Sequence, residues 1–244
     1  MSDALKNSLA NCRIVLCETH HAGNIGAAAR AMKTMGLSAL VLVKPAGYPC
    51  AEATRRASRA TDVLENARVC ETLSEALSGV ALAVACSART RAMSAPEVTA
   101  RSAAQRLATV AATQPVALVF GNETYGLTTA QVSLCQMIAT IPADAQYASL
   151  NLAAAVQVFA YELRQAIVGG ALDGKPRTLA SHEALEGFYA HLESALVETG
   201  YLNPQQPKKL MQRLRRLYAR AELEAEEVNI LRGVVRTLRQ PKNT

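Results

Sequence analysis

Five strand-length apolar runs constrain this chain more than anything else in it: residues 13–17 (R-I-V-L-C), 39–43 (A-L-V-L-V), 80–86 (V-A-L-A-V-A-C), 116–120 (V-A-L-V-F) and 137–141 (M-I-A-T-I). Each is apolar at nearly every position. As a strand it must be covered on both faces, and most of the intervening segments suit crossover helices. The pattern predicts an α/β fold with a parallel sheet. Between the first two runs, Ile25, Ala28, Ala29, Met32 and Met35 recur at helical spacing and Gly36 stands where a C-terminal cap belongs, completing one βαβ unit. Half of the 244 residues are apolar, enough for a sizeable core, and with no Trp and three Phe that core is expected to be aliphatic.

Ser149-Leu150-Asn151 precedes another helix, with Val156, Phe159, Ala160, Leu163 and Ile167 as its apolar stripe and an end near Gly169-Gly170. Residues 171–178 (A-L-D-G-K-P-R-T) are rich in turn formers and read as a linker. Helices follow over 181–198, capped by Ser181 with Glu183, over 208–223 and over 226–238. The expected division is therefore a domain at 1–170, a linker at 171–178 and a helical extension at 179–244. From Lys175 onward there are 12 basic against 8 acidic side chains, which makes the tail the more basic part and a polyanion its candidate partner. A solvated helical surface has the same composition.

Cys12, Cys17, Cys50, Cys70, Cys86 and Cys135 are scattered without a C-x-x-C pair and read as core thiols, so neither disulfides nor zinc is expected. His20-His21 point apart and lack an evident third ligand; they read as loop residues, and no metal is expected. Lys33 reads as exposed. No apolar stretch is long enough to span a bilayer, and Met1–Lys6 does not resemble a secretory signal, so the expected address is the cytoplasm.

The stretch H-A-G-N-I-G-A-A-A-R after the first run asks whether a phosphate loop is present. A dinucleotide fold wants G-x-G-x-x-G and, about twenty residues on, an acidic residue. Here the spacing is G-x-x-G, at Gly23 and Gly26, and the second run ends in Lys44-Pro45. The nucleoside-triphosphate pattern G-x-x-x-x-G-K-[ST] does not occur either. Polar residues stand out instead. Asn24 lies at the helix entrance, where capping is its ordinary role, and Arg30 sits off the apolar face. After the fourth run comes G-N-E-T-Y-G-L-T with Glu123, and after the fifth P-A-D-A-Q-Y-A-S-L-N-L with Ser149 and Asn151. These stretches follow the C-terminal ends of strands, where open α/β sheets bind ligands. Turn and cap roles account for each residue taken singly.

In order, N-x-x-x-x-x-R, F-G-x-E-x-x-G-L and S-L-N resemble the three signature motifs of the SPOUT superfamily of RNA methyltransferases, in its ribose 2'-O-methylating branch. The similarity covers roughly residues 10–170. It implies a parallel-sheet fold with a C-terminal trefoil knot, S-adenosylmethionine as cofactor, tRNA as substrate and an active site formed in a homodimer. Its narrower form implies methylation of cytidine or uridine at position 32 of the anticodon loop. Carried over by position, the cofactor loops are Cys86, Ser87 and Ala88, Gly121, Ile141, and Ala148, Ser149 and Leu150. The catalytic set is Arg30, Asn24, Glu123, Ser149 and Asn151, with Arg30 binding the phosphate beside the target ribose. In the tail, Lys208, Lys209, Arg213, Arg215, Arg216 and Arg220 become candidate contacts to tRNA phosphates, and Tyr189 and Tyr218 either stack on bases or pack between helices. Asn122 stands where some relatives carry Arg. Readings left open are a related enzyme acting on another tRNA position or on rRNA, a catalytically idle RNA-binding relative and, more remotely, a nicotinamide oxidoreductase.

Overall fold

The computed structural model describes residues 2–88, 96–144, 146–169 and 177–238. Along the chain run α1 (Asp3–Ala10), β1 (Cys12–Cys17), α2 (Ala22–Thr34), β2 (Ala39–Val43), α3 (Ala51–Ala57), α4 (Thr61–Glu65), β3 (Arg68–Cys70), α5 (Leu73–Ala76) and β4 (Leu82–Cys86). They are followed by β5 (Glu97–Thr99), α6 (Ala100–Ala111), β6 (Val116–Phe120), α7 (Thr129–Ser133), β7 (Met137–Thr140), α8 (Leu152–Val168), α9 (His182–Glu198), α10 (Leu210–Ala221) and α11 (Ala225–Leu238). The strands form one parallel sheet in the order β3-β2-β1-β6-β4-β7-β5.

All five apolar runs are strands, and the alternation of side chains shows why they had to be apolar throughout. Ile14 and Leu16 of β1, Leu40 and Leu42 of β2, Val84 of β4 and Leu118 of β6 pack under α2, α3, α6 and α8. The residues between them, Val15, Cys17, Val41, Val43, Ala85 and Val119, face the other way, onto α5 and α7. The two strands that the runs did not announce, β3 and β5, are three-residue segments at the sheet edges, where little burial is demanded of them. Helix α2 ends as expected, with Gly36 just beyond it in the left-handed region at φ +78°.

The order matters for function. From β1 the chain builds outward through β2 and β3, then crosses to the other side of β1, where β6 lies against it. The loops leaving β1 and β6 therefore diverge at their C-terminal ends, opening the crevice in which sheets of this type bind ligands.

Helices α9, α10 and α11 have a core of their own, centred on Phe188 with Tyr189, Leu185, Ala195, Val228 and Val235. Tyr218 meets Phe188 edge-on at 5.1 Å, so both candidate stacking tyrosines belong to this packing. Ser181 caps α9 as read, accepting from the N–H of Ala184. The unit is pinned to the sheet domain by the N–H of His182 donating to the Val80 carbonyl (2.9 Å), by reciprocal bonds between Gln114 and the backbone of Leu179, and by the ion pair of Arg106 with Glu222. Glu183 accepts from the N–H of Gly79 at 2.8 Å. Most of the expected linker, 171–176, lies outside the described residues. Among the described residues no helix is long and apolar enough to cross a membrane, and no cluster of His, Cys, Asp and Glu is placed to hold a metal.

Candidate active site

The loop after β6 is shaped by Asn122. Its Oδ1 accepts from the N–H groups of Thr124 (2.8 Å) and Tyr125 (3.0 Å), and its Nδ2 donates to the carbonyl of Glu18. Such a side-chain turn fixes a loop locally. Asn122 is thereby a buried loop-former. Gly126, at φ +68°, returns its N–H to the Asn122 carbonyl, and the returning chain passes so close that a Cβ on Gly121 would lie 2.1 Å from the Gly126 carbonyl carbon. Gly121 is thus held to glycine by the close approach, and Gly126 is favoured as glycine by its left-handed backbone.

This loop carries Glu123 across the crevice to the segment after β1. One carboxylate oxygen accepts from Asn24 Nδ2 (2.8 Å) and from the N–H of His21 (3.3 Å); the other accepts from the N–H of His20 (3.0 Å). Burial pushes the Glu123 carboxyl up, but the donors from Asn24, His20 and His21 outweigh it and hold the group below the usual carboxylate range. The histidines thus serve through their backbones. Asn151 completes the set: it caps α8 by accepting from the N–H of Ala153, and its Nδ2 donates to Asn24 Oδ1 at 3.0 Å. Residues 24, 123 and 151, from three separate motifs, form one hydrogen-bonded chain. Asn24 is not the cap of α2. That place falls to His21, which makes no side-chain cap, because the helix begins two residues before Asn24 and frees its amide for Glu123.

Beside this chain lies a cavity bounded by the ends of β4, β6 and β7. Cys86, Ser87, Ala88, Gly121, Ile141, Ala148, Ser149 and Leu150 all line it, together with Glu123. The walls also include Phe120, the first residue of the F-G-x-E-x-x-G-L motif, and three residues to which sequence reasoning assigned no site role: Phe159, which meets Phe120 edge-to-face at 5.6 Å, Tyr125 and Leu152. Phe159 was visible in the sequence only as a core position of its helix; what makes it a wall residue is the convergence of β6 with α8. Burial pushes the Cys86 thiol well up, so it lines the cavity as a neutral group. Cys12 and Cys17 are likewise pushed up to about 12 and belong to the core.

Two expected residues stand apart. Arg30 is exposed on α2, about 9 Å of helix rise beyond Asn24, with no partner among the described residues, and it does not line the cavity. Arg215, grouped by sequence with the tail cations, turns inward. Its two terminal nitrogens bind the Glu186 carboxylate at 2.5 and 2.7 Å, and its guanidinium lies 4.3 Å from the centre of the Tyr189 ring. It is a packing residue of the helical unit. Lys208, Lys209, Arg213, Arg216 and Arg220 are exposed. Lys33 pairs with Asp62 at 2.6 Å.

Comparison with known proteins bears on both parts of the chain. The model of the SpoU rRNA Methylase family matches residues 11–161, and that of the C-terminal domain of the tRNA methyltransferase TrmJ matches residues 183–244. Over 237 residues the chain is 48% identical to the tRNA (cytidine/uridine/adenosine-2'-O-)-methyltransferase TrmJ of Pseudomonas aeruginosa (strain UCBPP-PA14), covering 91% of each chain. It is 45% identical to the tRNA (cytidine/uridine-2'-O-)-methyltransferase TrmJ of Salmonella typhimurium (strain LT2), covering 95% of this chain and 98% of that one. The crystal structure of TrmJ from Z. mobilis ZM4 superposes with a TM-score of 0.81 at 36% identity, over 93% of this chain and 99% of the other.

Proposed function

Because the chain belongs to the SpoU methylase family and continues into a TrmJ-type C-terminal domain, we propose that it methylates the ribose 2'-hydroxyl of cytidine or uridine in tRNA, at position 32 of the anticodon loop, using S-adenosylmethionine. The observation that carries this reading is the meeting of Asn24, Glu123 and Asn151 at the sheet's switch point, next to a cavity lined by all eight expected cofactor residues. The test is incubation with labelled S-adenosylmethionine and tRNA lacking its native modifications, followed by mapping of the methylated ribose. Transfer to position 32 is expected; no transfer to any RNA refutes the enzyme, and transfer elsewhere refutes the position.

The cavity's chemistry fits a nucleoside cofactor. Phe120, Phe159, Ile141 and Leu152 offer apolar surface for a base, while the small residues Ser87, Ala88, Gly121, Ala148 and Ser149 leave backbone groups open to polar atoms. S-adenosylmethionine supplies an electrophilic methyl group there. The chain's own task is to bring one hydroxyl in line with that methyl and to ease loss of its proton. Glu123, held ionised, fixes the amide of Asn24, and Asn151 fixes it from the other side, so that the crevice presents a rigid polar edge to the ribose. The exposed guanidinium of Arg30, without a partner among the described residues, suits gripping the neighbouring phosphate and polarising the hydroxyl. Its distance from the cavity within one protomer supports a site completed by a second copy, hence a homodimer. The chain between β7 and α8 is read as a trefoil knot by family resemblance; the placement of β6 and β7 among earlier strands supports that reading.

Residues 1–170 then hold cofactor and target, and 179–244 bind the body of the tRNA. Lys209, Arg213, Arg216 and Arg220 recur at intervals of four, three and four, which places them within about 60° of one another around α10. That row of exposed cations follows a phosphate backbone well. The tRNA substrate and the absence of a membrane-spanning helix among the described residues agree with action in the cytoplasm.

A further inference from the structure

Helices α2 and α3 pack so closely that a Cβ on Gly26 would lie 2.0 Å from the carbonyl oxygen of Ala53. At the α2 end of this contact a groove opens that is separate from the cofactor cavity. His21, Gly23, Asn24, Ala27, Glu52, Arg56 and Asn151 line it. Three features set it apart from ordinary surface. First, it shares Asn24 and Asn151 with the polar chain of the active site, so whatever occupies it adjoins the target ribose. Second, its α2 wall is made of the smallest side chains. Gly23 and Ala27 stand on one stripe with Arg30, at i, i+4 and i+7, within about 60° of one another, so the groove leads along α2 toward that arginine. Third, its facing wall offers a cation and an anion, Arg56 and Glu52, and Arg56 is exposed and has no partner among the described residues. Arg56 reaches past Gly23, where a Cβ would come within 3.7 Å of its Cγ.

A mixed wall of this kind matches a ribose–phosphate chain, which presents anionic phosphates to arginine and 2'-hydroxyl donors to a carboxylate or an amide oxygen. We propose that the α2–α3 groove seats the backbone of the substrate RNA adjoining the target nucleotide, and that Arg56 is a positioning residue on the sheet domain that grips one of its phosphates. The inference rests on the tRNA methyltransferase reading above. It adds a contact that the basic tail does not supply: the tail binds the body of the tRNA, and the groove aligns the nucleotides at the site.

The full-length protein is tested with unmodified bulk tRNA. Arg56→Ala is expected to weaken binding about three- to tenfold at moderate salt and to flatten the dependence of log K on log [salt] by about 0.7–0.9, the loss of one phosphate contact. KM for tRNA rises while S-adenosylmethionine affinity, read by calorimetry, and the melting temperature stay at the wild-type level. Arg56→Lys restores most of the slope. Arg55→Ala, which removes the same charge from the same helix but outside the groove, is the control and shifts binding by less than half as much. Equal effects of the two alanine variants, or an unchanged slope for Arg56→Ala, overturn the proposal. So does a changed sedimentation state of Arg56→Ala at unchanged slope, which assigns the groove to a second copy of this chain. Wild-type protein that methylates no tRNA refutes the underlying reading instead, whatever the variants do.

Discussion

Replacing Glu123 tests the polar chain at its centre. The carboxylate accepts three hydrogen bonds, two at one oxygen and one at the other. Hydrogen bonds to a charged group contribute about 1.5–3 kcal/mol when buried, and solvent reduces that in a half-buried site to about 0.5–1 each. Glu123→Ala then loses about 2 kcal/mol of stability. Glu123→Gln can keep its carbonyl oxygen toward Asn24 and His21, but it must turn its amide against the N–H of His20, and it loses the charge; about 1 kcal/mol is expected. The pH dependence is the sharper readout. A carboxyl held below its unfolded value stabilises the native state above that value, about pH 4.3, and loses the contribution as the pH falls through its folded pKa. Urea titrations of wild type and both variants at pH 7 and at steps down to pH 3 should show the Glu123→Gln gap closing with acidification. A gap that is absent at pH 7, or constant to pH 3, refutes the account of Glu123 as the ionised hub. In the methyl-transfer assay Glu123→Gln should lower kcat more than it lowers cofactor affinity, because the cavity walls remain.

Arg30→Ala should abolish methyl transfer while calorimetric binding of S-adenosylmethionine is retained; full activity removes Arg30 from the site. Arg215→Ala should destabilise the helical unit by about 1–2 kcal/mol in thermal unfolding, since it leaves Glu186 unpaired in a half-buried position. Arg216→Ala should leave stability unchanged and reduce the salt dependence of tRNA binding, so reversed roles for these two would contradict the orientation of α10. Gly26→Ala forces α2 from α3 and should cost about 1–3 kcal/mol by urea unfolding. Glu183 is pushed up by burial, yet hydrogen bonds from Ser78, Gly79, Ser181 and its own backbone bring it down to about 2. The attachment of α9 should therefore weaken as pH falls from about 4.3 toward 2, and Glu183→Gln should remove that dependence.

The apolar runs were legible as strands because a doubly covered strand cannot be polar on either face, and a local pattern carries that requirement. The same holds for the Ser181 cap and the stop of α2 at Gly36, whose causes lie within a few residues. Asn24, Glu123 and Asn151 were recognisable as polar residues after strands, but 99 and 127 positions separate the bonded pairs, and no local pattern says which amide meets which carboxylate. Arg215 and Arg216 show the limit most plainly. They are adjacent and chemically identical, yet the step of about 100° between neighbours on α10 sends the first onto Glu186 and Tyr189 and the second into solvent. The sequence by itself determined the class of the fold and the motifs that leave its strands, since burial on both faces and backbone stereochemistry act over short range. The tertiary structure alone decided that β6 lies against β1, that three distant motifs share one hydrogen-bonded chain, and that α2 and α3 leave a groove beside it. Those depend on the order in which parallel strands are laid together, and that order is fixed by packing between segments far apart in the chain.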